Sequence, residues 1–457
     1  MKLNKSLLLY CIILALLTFN FKMNILGSAR NDFFNNFQID SESLVVGRLI
    51  YSERYGIFSH AGFLGRVVPI PAGKNYFWYQ YEVYHDPSDF DSYEAYYSQP
   101  ALQGFVYGML CRITGLNGYA ALDFFKWLVS ISTALIFTIF IIWVQRRWGW
   151  ATALFTLLTV CLSQWVTVFG RNIFWVLGAF YLPFVAALWY LQKYEQNQKC
   201  PLRVTFCLMF FSMLIKCLLI GFEYITTTII MAVTPWIFYA IVNEWDWKKF
   251  LKNVSVASAG ILTAAIAVII ELAFQLSFVM GSISEGFRYI LFSLGKRTYG
   301  GTGNIRNYDP GVVESTNSKI GDVLFSYWNG SVFNISHWFD FPLWQSISHI
   351  SFGSCCIFLL FISFIVFNSS TIKQFSAFRK QQIALTAMLW VSLLAPLSWF
   401  VIFKGHSYAH THMNHIVWHM PFMLLGATLT GSTVWFVICK KVSALIKKSK
   451  IKQSTCS

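Results

Sequence analysis

Runs of about 20 apolar residues recur along the chain, separated by short polar segments. An α-helix of that length crosses the hydrocarbon core of a bilayer. The pattern predicts an all-α, polytopic membrane protein with about ten transmembrane helices. The predicted spans are 7–27, 127–145, 150–168, 173–191, 203–221, 223–242, 254–280, 345–367, 382–403 and 417–439.

The segments between the runs differ greatly in length. Residues 28–126 and 281–344 form two long connections, whereas the others are short. Lys2 and Lys5 precede the first apolar run, and no small-residue cleavage site follows it, which predicts a retained signal anchor with its N-terminus inside. Both long connections then lie outside as external loops. We interpret residues 1–457 as a single transmembrane domain.

Composition and charge agree with this topology. Hydrophobic residues make up 56% of the chain and charged residues 12%, which excludes a soluble globular protein. The predicted inner segments hold 19 of the 35 Lys and Arg residues and three of the 20 acidic residues. This distribution follows the positive-inside rule, so the net charge of +15 requires no nucleic-acid partner. Most acidic residues lie in the outer segments, which predicts external chemistry.

A polar segment between the last two predicted spans contains five of the nine histidines. It runs from Lys404 to His419 and holds His406, His410, His412, His415 and His419. Over a single helix from 408 to 419, Tyr408, His412, His415 and His419 would share one face. The segment has no HExxH motif, and no acidic residue follows Asp340. These facts favour an anion-binding site with Lys404 over a zinc or haem site, while histidines that only pack at the interface are the bland alternative.

Two acidic residues stand early in the first long segment, Asp40 and Glu42. The run from Asp40 to Leu49 predicts a helix start with Asp40 or Ser41 as its N-cap, which would make the acids part of a solvated loop. The functional interpretation is a carboxylate at a membrane-level cavity, acting as a general base or a metal ligand.

Other polar positions fall at or within predicted span ends. Arg171 lies in a tight turn, Lys216 lies inside a span, and Glu223 follows at the next turn. A lysine within a span is costly unless it is paired or faces a cavity, so Lys216 and Glu223 are functional candidates or a structural ion pair. Arg171 is a functional candidate or part of a solvated turn. Residues 76–97 mix aromatic and acidic side chains, which suits either sugar binding or an interfacial segment.

The architecture resembles the GT-C superfamily of integral-membrane glycosyltransferases. The resemblance is carried by the multi-spanning chain, the early external acid, the basic residues at outer helix ends, and the late Lys- and His-rich loop. It implies that Asp40 or Glu42 is the catalytic base or a metal ligand. The commoner family pattern has adjacent acids, whereas this chain has Asp-Ser-Glu, which leaves the choice open.

The resemblance also implies an outward-facing enzyme that draws its sugar from a polyprenyl-phosphate carrier, by an inverting mechanism. The leaving phosphate needs cationic donors, which Lys404, His406, Arg171 and Lys216 can supply. Further candidates for substrate binding are Glu223, His410, His412 and His415.

The expected function is therefore hexosyl or pentosyl transfer to a glycan, lipid or protein acceptor at the outer face of the plasma membrane. The protein would be surrounded by membrane lipids, and a divalent cation is left open as cofactor. A transporter or flippase of lipid-linked saccharide is the alternative. A haem or metal redox protein is a third class that rests on the histidines alone.

Overall fold

The structure is a computed structural model that describes residues 5–195, 201–299 and 310–454. Lys2, on which part of the anchor prediction depends, lies outside the described residues. The first half of the chain contains α1 (Lys5–Met23), α2 (Asn31–Asn36), α3 (Ile39–Tyr55), β1 (Leu64–Val68), α4 (Trp78–His85), β2 (Ser92–Tyr96), α5 (Leu102–Thr114), α6 (Gly118–Trp148), α7 (Trp150–Leu162), α8 (Gln164–Gly170), α9 (Leu177–Tyr194) and α10 (Leu202–Ile220).

The second half is helical as well. It contains α11 (Ile225–Val242), α12 (Trp247–Met280), α13 (Ile283–Arg297), α14 (Pro310–Asn317), α15 (Ile320–Asn329), α16 (Pro342–Ile347), α17 (Phe352–Asn368), α18 (Ser370–Lys373), α19 (Ser376–Ser392), α20 (Leu394–Ile402), α21 (Lys404–Ala409), α22 (Thr411–Asn414) and α23 (Phe422–Ser454). Short 3₁₀ turns occupy Ser59–Gly62, Ser336–Trp338 and His415–His419. The all-α, polytopic prediction is confirmed.

Seven helices among the described residues are long and apolar enough to cross a membrane. They are Ser6–Met23, Gly118–Trp148, Leu202–Ile220, Ile225–Val242, Trp247–Met280, Ser376–Ile402 and Phe422–Lys440. The three other predicted spans are also helical but differ in form. The span at 150–168 is bent by 72° between α7 and α8, α17 has only 17 residues, and α9 includes Pro183 and a polar C-terminal end.

The bend between α7 and α8 has a local cause at Ser163. Its side chain accepts a hydrogen bond from the Val166 amide, which caps α8 and starts a new helix direction. The same Oγ lies 3.1 Å from His419 Nε2. This second contact ties the bend to the 3₁₀ turn before α23, so α8 leads the chain back toward residues 171–175.

The first long segment is a folded layer. Strands β1 and β2 pair antiparallel with Arg66 opposite Glu94, a two-stranded sheet that the sequence pattern did not predict. Gln80 of α4 holds β1 in place, because its side chain bonds both the amide and the carbonyl of Val67 at 2.9 and 3.0 Å. Helix α3 packs directly on β1 at Gly47, where a Cβ would lie 2.3 Å from the Gly65 carbonyl oxygen. Close packing here fixes the start of α3 relative to the sheet.

The buried apolar residues form a large cluster that extends from the membrane helices into this layer. Phe137 of α6 contacts Phe21 of α1 and Tyr181 of α9, so the three helices meet around its ring. Trp399 and Tyr224 pack edge to face at 5.0 Å below the segment that holds the histidines. This contact joins the turn at residues 221–224 to α20.

Candidate active site

A cavity of about 320 Å³ lies at one end of the helix bundle, the end at which the first long segment (28–126) is folded. It lies where the start of α3, the sheet, the turn before α11, the end of α13 and the helices α14 and α21 meet. Its charged and imidazole-bearing walls come from distant parts of the chain. They are Asp40, Arg66, Glu223, Lys296, Arg297, His406 and His410, with Tyr96, Phe174 and Trp175 as aromatic neighbours.

Asp40 occupies the first turn of α3. The helix begins at Ile39, after Gln38 in the left-handed conformation (φ +54°), so neither Asp40 nor Ser41 is the N-cap that the sequence predicted. The backbone carbonyl of Asp40 accepts hydrogen bonds from Ser43 Oγ and Arg66 Nη2. Within the described residues its carboxylate forms no hydrogen bond and no ion pair.

Glu42 has the opposite environment and does not line the cavity. It is only 3% exposed. One carboxylate oxygen lies 2.9 Å from Lys126 Nζ and accepts a hydrogen bond from the Tyr81 hydroxyl at 3.2 Å. The other accepts one from the Ile173 amide at 3.1 Å. Both carboxylate oxygens therefore have partners, and the Glu42 side chain joins α3 to α4, α6 and the turn after α8.

Arg171 belongs to the Glu42 region. Its guanidinium lies 4.1 Å from the centre of the Phe34 ring, and Glu42 is its nearest acidic influence. Burial lowers the pKa of Arg171, with Glu42 acting in the opposite direction. Arg171 is not among the residues that line the cavity at Asp40.

One part of the cavity wall is a polar cluster of Arg297, Glu223 and His406. Arg297 Nη1 lies 2.6 Å from Glu223 Oε1, and Arg297 Nη2 donates to the Tyr96 hydroxyl at 3.0 Å. His406 Nε2 is 3.5 Å from the other Glu223 oxygen. The contacts join the end of α13, the turn before α11, β2 and α21, four elements that are far apart in sequence.

The protonation states in this cluster follow from burial and charge. Burial acts to lower the pKa of Arg297, but Glu223 and Tyr96 outweigh it, and the net shift is upward. Burial lowers the pKa of His406 well below its ordinary value, and the neighbouring His410 and Arg297 act in the same direction. Burial also lowers the pKa of His410. At neutral pH both imidazoles are therefore uncharged, and the cationic character of the cavity comes from Arg66, Lys296 and Arg297.

Lys216 and Lys404 use their ammonium groups on backbone carbonyls. The fully buried Lys216 donates to the carbonyls of Gly221 and Glu223 at 2.8 and 2.7 Å, so it holds the turn that presents Glu223. The ion pair considered from the sequence is thus a contact with the Glu223 backbone. Lys404 donates to the Ser318 carbonyl at 2.8 Å and lies over the Tyr299 ring. Neither lysine lines the cavity.

The histidine segment is divided into three short pieces, so the single helix considered over 408–419 is wrong. Helix α21 ends at Ala409, α22 spans Thr411–Asn414, and a 3₁₀ turn follows. His412 is exposed, whereas His415 is buried and stacks on Trp165 at 4.9 Å between ring centres. Of the five histidines in this segment, only His406 and His410 line the cavity, with ring centres 4.5 Å apart.

Among the residues that the structure describes, no group of three or more His, Cys, Asp or Glu side chains is placed to hold a metal ion. The two acidic residues that line the cavity, Asp40 and Glu223, share it with imidazoles and cationic side chains rather than with further acids. What the arrangement offers chemically is one uncommitted carboxylate together with several hydrogen-bond donors to an anion.

Three basic residues that line the cavity were not among the site residues predicted from the sequence. Arg66, Lys296 and Arg297 lie in the two long segments, where basic and acidic residues balance overall. The adjacent pair Lys296–Arg297 carried a usable signal, because the positive-inside rule leads one to expect few clustered cations outside. The residues that were found, Asp40, Glu223, His406 and His410, come together in one cavity.

The chain matches no protein-family model and none of the curated proteins. Among solved structures it is similar to the oligosaccharyltransferase of Archaeoglobus fulgidus, in a crystal structure of the apo form. The TM-score is 0.47 and the sequence identity 12%, over 98% of this chain and 52% of that one. The chain therefore spans about half the length of that protein.

Proposed function

We propose that this chain is a membrane glycosyltransferase of the GT-C type and that the cavity at Asp40 is its active site. The enzyme moves a sugar from a polyprenyl-phosphate donor to a hydroxyl-bearing acceptor at the outer face of the plasma membrane. The observation that carries the proposal is one shared cavity. It places the uncommitted carboxylate of Asp40 with the cations Arg66, Lys296 and Arg297, at one end of an apolar helix bundle.

The proposed reaction is a single displacement. The acceptor oxygen forms a bond to the anomeric carbon while the bond from that carbon to the phosphate oxygen breaks. The acceptor proton passes to Asp40, and polyprenyl phosphate leaves as an anion. A positioned base contributes about two to four orders of magnitude in rate. Attack opposite to the leaving phosphate inverts the anomeric configuration.

The leaving phosphate is assigned to the side of the cavity that holds Lys296, Arg297 and His406. A neutral imidazole still has one N–H to donate, so the lowered pKa of His406 leaves it able to bond a phosphate oxygen. Glu223 forms an ion pair with Arg297 and so orients its guanidinium in the cavity. Lys404, Arg171 and Lys216 are assigned supporting positions, because their described contacts are with carbonyls, an aromatic ring and the Glu42 region.

The acceptor side is assigned to the aromatic wall. The aromatic rings of Tyr96, Phe174 and Trp175 line the cavity together with Asp40, and such rings stack on the C–H faces of sugars. This arrangement supports a saccharide acceptor or the donor's own sugar. The rest of the aromatic segment 76–97 is divided between α4 and β2 and packs against α3 and α6.

The test is a transfer assay in proteoliposomes with radiolabelled polyprenyl-phosphate sugars and membrane-derived acceptors. Asp40→Asn keeps the side-chain volume but removes the proton acceptor, so transfer should fall by about 10²- to 10⁴-fold while polyprenyl phosphate still binds. Asp32→Asn is the matched control, because Asp32 is an exposed acid on the neighbouring helix α2, and Arg30 is its one ion-pair partner among the described residues. It should transfer as the unmodified protein does.

Near-normal transfer by Asp40→Asn would remove Asp40 from the role of base. A transporter or flippase would give a different result. It would move labelled donor across the vesicle membrane without forming a new glycosidic bond. The Asp40→Asn variant would then differ from the unmodified protein, if at all, only in the rate of that movement. Bond formation that depends on Asp40 excludes that class.

A further inference from the structure

A second cavity, of about 510 Å³, lies at the opposite end of the helices from the candidate active site. Helix α6 connects the two ends. Lys126, near its start, contacts Glu42, and Arg146, near its end, lines the second cavity. The 20 residues between them correspond to about 30 Å of helix, which is the thickness of a bilayer core. The second cavity is therefore at the other membrane surface.

The charged walls of this cavity come from α6 and the end of α9, and Gln381 of α19 adds a neutral polar side chain. Arg146, Arg147 and Lys193 contribute three positive charges, and Glu195 contributes one negative charge. Glu195 forms a two-pronged ion pair with Arg147, which fixes both groups. Arg146 forms no hydrogen bond or ion pair with the part of the chain that the structure describes. The cavity thus has a net positive charge that its own acidic residue does not neutralise.

An apolar groove continues from this cavity toward the membrane interior. Arg146, Trp189 and Gln192 line both spaces, so the two are contiguous. The groove of about 120 Å³ runs between α6 and α9, and its walls include Ile139, Ile142 and Val185. Trp189 is 52% exposed at the junction, where an amphipathic ring is expected at the membrane interface.

We infer that this site binds an anionic phospholipid, with its headgroup phosphate between Arg146 and Lys193 and an acyl chain in the α6–α9 groove. The occupant is identified by charge and shape together. A positive cavity at a membrane surface selects an anionic headgroup, and the contiguous apolar groove selects a molecule that carries a hydrocarbon chain. A free phosphate ion would satisfy the first feature but not the second. The site is independent of the proposed glycosyl transfer.

The experiment measures lipid binding to the purified full-length chain in detergent micelles, by native mass spectrometry and by the thermal unfolding midpoint. Phosphatidylglycerol is compared with phosphatidylcholine of the same acyl chains and with sodium phosphate. Phosphatidylglycerol should bind and raise the midpoint more than either. The double variant Arg146→Gln with Lys193→Gln should bind it about 30-fold more weakly, since each basic group near a membrane surface contributes about a factor of five.

Two controls separate this site from general surface charge. The double variant Lys248→Gln with Lys252→Gln removes two exposed cations from the start of α12, outside the cavity, and should bind phosphatidylglycerol normally. Ile142→Trp fills the groove without altering charge and should weaken binding of the lipid. Ile131→Trp, on the exposed face of the same helix, should not.

Three results would overturn the inference. One is equal stabilisation by sodium phosphate, which would make the site a free-anion site. Another is equal loss of binding in the α12 double variant, which would make the effect a property of the whole basic surface. The third is unchanged binding in both Ile142→Trp and the Arg146 and Lys193 double variant. If the double variant fails to fold, the Ile142→Trp and Ile131→Trp pair still decides the question.

Discussion

Asp40 and Glu42 are two residues apart on the same helix, yet they lie in contrasting regions. Glu42 is buried, and Lys126, Tyr81 and the Ile173 amide surround its carboxylate. Asp40 lines an open cavity, and its carboxylate has no hydrogen-bond partner among the described residues. A buried charge survives only when its partners compensate its lost hydration, so the Glu42 region is built for cohesion.

The same comparison applies to the cations of the two regions. Arg171 and Lys126 lie around Glu42, and their charges interact with its carboxylate to join neighbouring helices. Arg297 also pairs with an acid, Glu223, but it does so at the edge of a cavity large enough for a substrate group. Charge that borders open space can be redirected to a ligand, and charge enclosed by protein cannot. On the proposed function, the Glu42 region contributes stability and the cavity at Asp40 carries the chemistry.

The largest effect is expected from Glu42→Gln. The substitution leaves Lys126 buried without its counter-charge, so the free energy of unfolding should fall by about 3–5 kcal/mol. Thermal unfolding or unfolding in mixed detergent measures it. Asp40→Asn is the matched variant on the same helix, and its unfolding free energy should change by less than about 0.5 kcal/mol. Equal destabilisation by the two substitutions would break the contrast between the regions.

The next effect concerns the affinity for polyprenyl phosphate. Arg297→Gln removes a charge-assisted donor from the cavity, and the dissociation constant should rise by about 10- to 100-fold. Arg288→Gln is the control, because Arg288 is exposed on the same helix and, in the part of the chain that the structure describes, forms an ion pair with Glu285 alone. Since Arg297→Gln also leaves Glu223 unpaired, Arg297→Lys is measured beside it. It keeps the charge and should recover part of the affinity. Unchanged binding in both Arg297 variants would place the phosphate elsewhere.

The smallest effect is a pH dependence of stability from His406. Its pKa in the folded protein is far below the ordinary value of 6.5, so the unfolded state binds more protons as the pH falls below 6.5. Stability from this residue is present above that pH and is lost on acidification. Between pH 7.5 and 5.5 the loss should be about 1 kcal/mol, and His406→Gln should remove it. The exposed His412→Gln should not, and an unchanged acid dependence in His406→Gln would contradict the assigned burial.

The fold class could be predicted from the sequence because the length and hydropathy of an apolar run are enough to predict a membrane helix. The sequence did not predict the bend at Ser163, because one apolar run continues through the break and the contact with His419 joins positions more than 250 residues apart. It also missed the pairing of β1 with β2. Those strands are short, and they are stabilised by Gln80 and by packing on Gly47 rather than by a long alternating pattern.

The site was predictable in part for the same physical reason. Asp40, Glu223 and His406 stood out because acids and histidines near membrane spans are costly. Arg297 and Arg66 did not, since arginines in a long polar segment are common and nothing local marks their partners. The choice between Asp40 and Glu42 also needed tertiary structure, because their difference lies in Lys126 and Ile173, which reach only Glu42.

The central claim is that the cavity at Asp40, and not the Glu42 region, receives the donor. A density map of the protein with bound polyprenyl phosphate tests it most directly. We expect the phosphate beside Lys296 and Arg297, with the Asp40 carboxylate facing it across the cavity and the contacts of Glu42 unchanged. A phosphate bound at Arg171 with Glu42 displaced from Lys126, or one bound outside the cavity altogether, would contradict the account.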